Sequence, residues 1–208
     1  MRGFIYVGGD LLPQAIEERP AAEDLVIAAD SGYGNALKLG IAPSVALGDF
    51  DSWDEASLPD DVKKIPFPPK KDFTDTQLAV EYAVEQGCQQ IVLIGGLSGR
   101  LDHTMSNLAI LEDLEKRHLH GLITDGFNRV RFIRNDSAIV IRSKHFQYLS
   151  LLAADPILKG VEIDGCKYPL KNARIKRTSQ FAVSNEITGN CALVEIKRGG
   201  VWVIESMD

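Results

Sequence analysis

Ile91-Val92-Leu93-Ile94-Gly95-Gly96-Leu97-Ser98-Gly99-Arg100-Leu101-Asp102-His103 is the stretch on which the fold turns. Its opening apolar run is short and continuous, as expected of a strand buried on both faces of a parallel sheet. A glycine-rich turn follows. A helix then begins near Asp102 to Thr104 and runs to about His118, with Gly121 after it.

The same alternation extends in both directions. Further strands are expected at Phe4–Val7, Leu25–Ala29, Ser44–Leu47, Val62–Ile65 and Leu122–Thr124. Ser31–Leu39 reads as a helix stopped by Gly40. Thr74 with Gln77 gives the capping-box signature of another, ending near Gly87. Residues 1–126 are therefore expected to form a doubly wound, mostly parallel α/β domain of about six strands.

Beyond Phe127 the helical pattern stops. Short alternating stretches take over at Arg129–Arg134, Ala138–Arg142, Tyr148–Ala153, Ile157–Ile163, Cys191–Lys197 and Val201–Ile204. They are punctuated by Asn135-Asp136, Asp164-Gly165, Gly189-Asn190 and Gly199-Gly200. Residues 127–208 are thus expected to form an antiparallel β-sandwich.

The 208 residues suffice for a buried core, and 45% hydrophobic with 25% charged content argues against a disordered or fibrous chain. A net charge of -6 repels phosphodiester backbones, so nucleic-acid binding is not expected, whereas a small cation is welcome. Cys88, Cys166 and Cys191 form no CxxC pair and read as reduced thiols. Met1-Arg2-Gly3 leads straight into a strand, and no apolar run approaches a membrane span. A cytoplasmic protein with no membrane partner is expected.

Aspartates follow successive strands. Asp30 follows the second, Asp49 and Asp51 the third, Asp72 and Asp75 the fourth, and Asp102 the fifth. Ligands of open α/β sheets bind at the carboxyl ends of strands, so these side chains should share one rim. Gathered carboxylates repel unless a cation joins them, most simply Mg²⁺ sharing the phosphates of a nucleotide. Each aspartate also has a structural reading. Asp30 could cap a helix, Asp49 and Asp51 could be solvated loop residues, and Asp75 complements a helix dipole. The glycines of the 95–102 turn let backbone amides approach a phosphate, and Arg100 offers a forked donor. Neither GxxxxGK[ST] nor GxGxxG is present. His103 reads as a helix-start residue rather than a metal ligand.

With those residues placed, the chain resembles the thiamine pyrophosphokinase family. The likeness rests on Ala29-Asp30-Ser31-Gly32 with Asn35, Gly48-Asp49-Phe50-Asp51-Ser52, Lys71-Asp72-Phe73-Thr74-Asp75 and Gly95-Gly96 through Gly99-Arg100-Leu101-Asp102-His103. It continues in Val183-Ser184-Asn185-Glu186 and Gly200-Val201-Trp202. The resemblance implies an ATP-binding catalytic domain, a thiamine-binding and dimerisation domain, and a homodimer with sites at the interface. It implies metal binding by Asp49, Asp51 and Asp75, and a catalytic group of these with Arg100 and Asp102. ATP and phosphate contacts would fall to Asp30, Ser31, Asn35, Lys71, Asp72, Thr74, Gly95, Gly96 and Arg100. Thiamine contacts would fall to Asp102, Ser184, Asn185 and Trp202. Ala154 to Thr178 carries little of the family pattern.

The implied reaction is attack of the thiamine hydroxyl on the β-phosphorus of Mg·ATP, with AMP leaving. Asp102 or Asp75 is the first place to look for a general base. Trp202 could stack on the cationic thiazolium, worth roughly 1–2 kcal/mol when desolvated, or simply fill the β core. Three other readings stay open: a pyrophosphokinase for another alcohol such as a pterin, a metal-dependent phosphohydrolase, and a nucleotide sensor without catalysis.

Overall fold

The computed structural model describes residues 1–48, 58–66 and 73–208. Within them the chain forms two compact units, Met1–Gly126 and Phe127–Asp208.

In the first unit the apolar runs become β1 (Arg2–Tyr6), β2 (Leu25–Ala29), β3 (Val45–Gly48), β4 (Lys63–Pro66), β5 (Gln90–Ile94) and β6 (His120–Thr124). All pair in parallel, in the order β4-β3-β2-β1-β5-β6. Residues of the inner strands are buried nearly throughout, which is why their sequences do not alternate. The helices are α1 (Gly32–Lys38), α2 (Asp75–Glu85) and α3 (Leu101–Lys116). Phe4, Tyr6, Val92 and Ile94 share one sheet face and pack with Ala36 of α1 and with Ile16. Gly3, Ile91 and Gly121 stand in register on the other face. A Cβ on Gly3 would press on Ala83 of α2, and one on Gly121 would press on Leu111 and Leu114 of α3. Helices therefore cover both faces, the doubly wound arrangement that the alternation predicted.

One feature of strand order positions the site. Neighbouring strands β1 and β5 send their chains to opposite faces. The segment after β1 turns through Pro13–Ala15 to put Ile16 on the α1 face, whereas β5 runs directly into α3. Such a reversal opens a crevice at the carboxyl ends of the two strands.

The second unit is a sandwich of two antiparallel sheets. One is β7 (Asn128–Arg134), β13 (Gly200–Ser206) and β9 (Tyr148–Ala153), with β13 in the middle. The other runs in the order β11 (Leu170–Lys176), β10 (Ile157–Asp164), β12 (Cys191–Arg198), β8 (Ser137–Ile141). Val140, Leu149, Leu151, Leu158, Val161, Val194, Val201 and Val203 fill the space between them. Strand β11 was not anticipated from the sequence. At the end of this core Glu205 receives Arg129 at 2.7 and 2.9 Å and Arg131 at 3.0 Å. Among the described residues no helix is long and apolar enough to cross a membrane.

Candidate active site

The crevice at the β1/β5 reversal has a volume of about 360 Å³. Gly8 and Gly9 after β1, Asp30 and Ser31 after β2, Thr74–Thr76 at the start of α2, and Gly96, Ser98, Gly99, Arg100, His103 and Asn107 around the start of α3 line it. Four strand-following segments thus converge on one rim. A larger cleft of about 570 Å³ lies in the second unit between Arg142–Gln147 and Glu186–Ile187. It has no glycine turn, and its carboxylate, Glu186, is already bridged to Lys167 at 2.9 Å. The smaller crevice is the one that joins glycine turns with Asp30, Asp75 and Arg100, and it is the candidate active site.

Local backbone rules explain how each side chain arrives there. Asp30 takes a left-handed conformation (φ 48°) and its N–H donates to Leu47 at 2.8 Å, so the chain turns sharply off β2 into α1. Thr74 caps α2: its Oγ1 accepts from the Gln77 N–H at 3.2 Å, and its own N–H donates to Gln77 Oε1 at 2.9 Å. This is the capping box anticipated from the sequence, and it fixes Asp75 in the first turn of α2, on the crevice wall. Gly9 (φ 102°) and Gly96 (φ 76°) occupy left-handed backbone where side chains would also strike Ser98 and Asn107.

Arg100 and Asp102 form an exposed forked pair, with Nε donating to Oδ1 at 3.1 Å and an Nη to Oδ2 at 2.6 Å. Hydrogen bonds from Arg100 hold the Asp102 carboxyl below its ordinary range and lift the guanidinium correspondingly. A carboxylate held low is a weak base. The fork uses two of the five guanidinium N–H donors, so opening the pair would give Arg100 its full set for a phosphate and raise the basicity of Asp102.

The remaining candidates fall into distinct situations. Asn35 is buried at 3% exposure, and its amide donates to the Val7 carbonyl at 2.8 Å and the Gly9 carbonyl at 2.9 Å. It shapes the rim from beneath. Gly95 lies in the same turn, its N–H donating to Thr124 at 2.8 Å. Asp49, Asp51, Lys71 and Asp72 lie outside the described residues. Among the described residues no group of three or more His, Cys, Asp or Glu side chains is placed to hold a metal. Asp30 and Asp75 nevertheless bring two oxygen donors to one crevice, and Asp49 directly follows Gly48 at the end of β3. Such a set suits a hard divalent cation.

In the second unit Trp202 lies on the face of β13 turned away from the core, opposite Phe132 and Leu152. Its ring meets that of Phe132 edge-on, centroids 5.7 Å apart. Its indole N–H is buried and has no partner among the described residues. Ser150, on this same face, receives the Ser184 N–H at 3.0 Å. Asn185 is fully engaged: its side chain accepts from the N–H of Tyr168 and of Glu186 at 3.0 Å and donates to the Tyr168 carbonyl at 2.8 Å. It builds the turn that presents Ser184.

Sequence reasoning missed Gly8, Gly9, Ser98 and Asn107, and gave His103 only a helix-start role. One signal was available. Gly8-Gly9 follows its strand just as Gly95-Gly96 follows its own.

Similarity to known proteins runs along most of the chain. Residues 17–122 match the family description "Thiamin pyrophosphokinase, catalytic domain", and residues 137–201 match "Thiamin pyrophosphokinase, vitamin B1 binding domain". The chain is 28% identical to the "Thiamine pyrophosphokinase" of Bacillus subtilis (strain 168), covering 88% of each. It is 26% identical to "Thiamin pyrophosphokinase 1" of Caenorhabditis elegans, covering 97% of this chain and 88% of the other. The crystal structure of thiamin pyrophosphokinase from Geobacillus thermodenitrificans superposes with a TM-score of 0.86 at 28% identity, over 100% of this chain and 98% of that one. That from Bacillus subtilis gives 0.87 at 25% identity, over 100% of both. The Candida albicans structure, at 15% identity and a TM-score of 0.76 over 99% of this chain and 89% of that one, shares the fold. With both family descriptions matched in order over more than half its length, the chain belongs to the thiamin pyrophosphokinase family.

Proposed function

We propose that this chain transfers the pyrophosphoryl group of Mg·ATP to the hydroxyl of thiamine, giving thiamine pyrophosphate and AMP. The observation that carries the reading is the crevice at the β1/β5 reversal. It combines two glycine turns, a forked cation at Arg100 and the carboxylates of Asp30 and Asp75. The reaction is the family's own.

Pyrophosphoryl transfer asks for alignment and for positive charge where negative charge collects, rather than for covalent help. Glycine turns offer backbone N–H groups to phosphate oxygens without a side chain in the way. Arg100, released from Asp102, offers two parallel N–H donors. Asp75, with Asp49, Asp51 and the rim carboxylate of Asp30, would hold the metal, which when bound screens the phosphates and steadies the leaving AMP. Asp102, freed in the same motion, becomes available to accept the hydroxyl proton. Residues 1–126 take the ATP-binding and catalytic role, with Lys71, Asp72 and Thr74 as phosphate contacts.

Residues 127–208 take the thiamine-binding role. Trp202 and Ser184 form a platform, and an aromatic face suits the positive thiazolium. The protein works as a homodimer. Ile139 and Leu193 face each other across β8 and β12 and are exposed, as is the adjoining Ile141, an apolar patch suited to a second copy. The unpaired state of all three cysteines fits a cytoplasmic setting.

Incubation with Mg·ATP and either thiamine or a pterin alcohol tests the acceptor. AMP should appear with thiamine alone. AMP formed only with the pterin would replace the substrate, and phosphate release without AMP would replace the reaction.

A further inference from the structure

Asn107 projects from the second turn of α3, four residues after His103, with 6% exposure. Its amide donates to the Gly96 carbonyl at 2.9 Å. A trans peptide points its carbonyl and its N–H in opposite directions. Fixing the Gly96 carbonyl therefore also fixes the Leu97 N–H, which belongs to the same peptide unit. Among the described residues the N–H groups of Leu97, Ser98 and Gly99 have no hydrogen-bond partner. The loop is tied from its other side as well. Gly96 N–H donates to the Gly8 carbonyl at 3.0 Å and Asp10 N–H to Ser98 Oγ at 2.7 Å, while Asn35 on α1 holds Val7 and Gly9. Two buried amides, one from a helix on each face of the sheet, thus hold one glycine turn each, and the Gly96–Gly8 and Asp10–Ser98 hydrogen bonds tie the two turns together.

We propose that Asn107 is a positioning residue for the nucleotide phosphates: by pinning the Gly96 carbonyl it sets the direction of the Leu97 N–H, so that the turn meets ATP already ordered. The proposal rests on the reading of this crevice as the nucleotide site. It separates ATP from thiamine, because the clamp touches only the turns after β1 and β5. It also specifies a donor rather than a size. Alanine removes the pin. Aspartate keeps the shape but, when ionised, turns a carboxylate toward a carbonyl. A protonated Asp can donate to Gly96 as the amide does.

The test is steady-state kinetics of the full chain with ATP and thiamine varied separately, on wild type, Asn107→Ala and Asn107→Asp, each shown to be folded by thermal denaturation. The expected result for Asn107→Ala is an ATP KM raised about tenfold with the thiamine KM within about twofold of wild type. For Asn107→Asp the ATP KM, relative to wild type at the same pH, should fall back as pH is lowered and the carboxyl protonates. The Asn107→Ala ratio should stay flat across that range. An ATP KM for Asn107→Ala within twofold of wild type, or an equal rise for both substrates, overturns the proposal. So does an Asn107→Asp ratio that does not move with pH. Absence of turnover in the wild type would instead count against the reaction itself, and ATP affinity by titration calorimetry then yields the same ratios.

Discussion

Asp75 and Arg100 line one crevice, the first in the initial turn of α2 and the second at the entrance to α3. Their charges set two predictions. Asp75→Asn keeps the size and the helix but takes a charged ligand from the proposed metal site. Turnover should drop by about a hundredfold or more. Stability should change by less than about 1 kcal/mol, the value of one charge at a helix N-terminus. Kinetics beside a melting curve check both, and near-normal turnover would remove Asp75 from the metal site. Arg100→Lys keeps charge but loses the fork. We expect kcat/KM to fall about tenfold, and a loss under about threefold would demote Arg100 to a structural role. At this scale the sequence was partly readable. The glycines after β5, Asp75 and Thr74 announced themselves by residue type at a strand end. Gly8-Gly9 carried the same signal, but its place in the crevice depends on β1 lying beside β5, and strand order is not written in any one segment; Asn107 sits inside a helix, and its hold on Gly96 shows only once the turn before α3 is folded. Asn185 belonged visibly to a motif, yet its task of building the Ser184 turn appears only with its partners in place.

The elements with the cleanest patterns were the easiest to read. Thr74 and Gln77 specify the start of α2 by mutual hydrogen bonds, a purely local interaction, so the sequence located it to the residue. Strand β11 was invisible for the opposite reason. It is an edge strand in which only Ile175 is fully buried; its pairing with β10 is interrupted by register shifts, and Asn172 adopts a positive φ of 49°. No alternation survives that irregularity. The Glu205 cluster was equally hidden, since it joins residues far apart in the chain. Glu205 and Arg129 keep only 3% and 10% side-chain exposure, so their charges have little water to fall back on. Glu205→Gln leaves two guanidinium groups facing a neutral amide. The expected cost is about 3 kcal/mol, seen as a lower urea midpoint with unchanged slope. A change below about 1 kcal/mol would mean that the ion pair is solvated after all.

For the molecule as a whole, the proposed phosphate site falls in the first unit and the proposed Trp202 platform in the second. The proposed homodimer builds each site from both chains. Mixing chains carrying Asp51→Asn with chains carrying Trp202→Ala, each nearly inactive alone, should then restore roughly a quarter of wild-type activity after random re-pairing, because one site of each mixed dimer receives neither defect. Mixed dimers that form without activity would place both residues in a site made by one chain. The central claim is the transfer of a pyrophosphoryl group, and ATP labelled at its γ-phosphorus tests it most directly. With thiamine present, the label should appear in thiamine pyrophosphate, matched by an equal amount of unlabelled AMP. Label recovered as inorganic phosphate, with ADP in place of AMP, would contradict it.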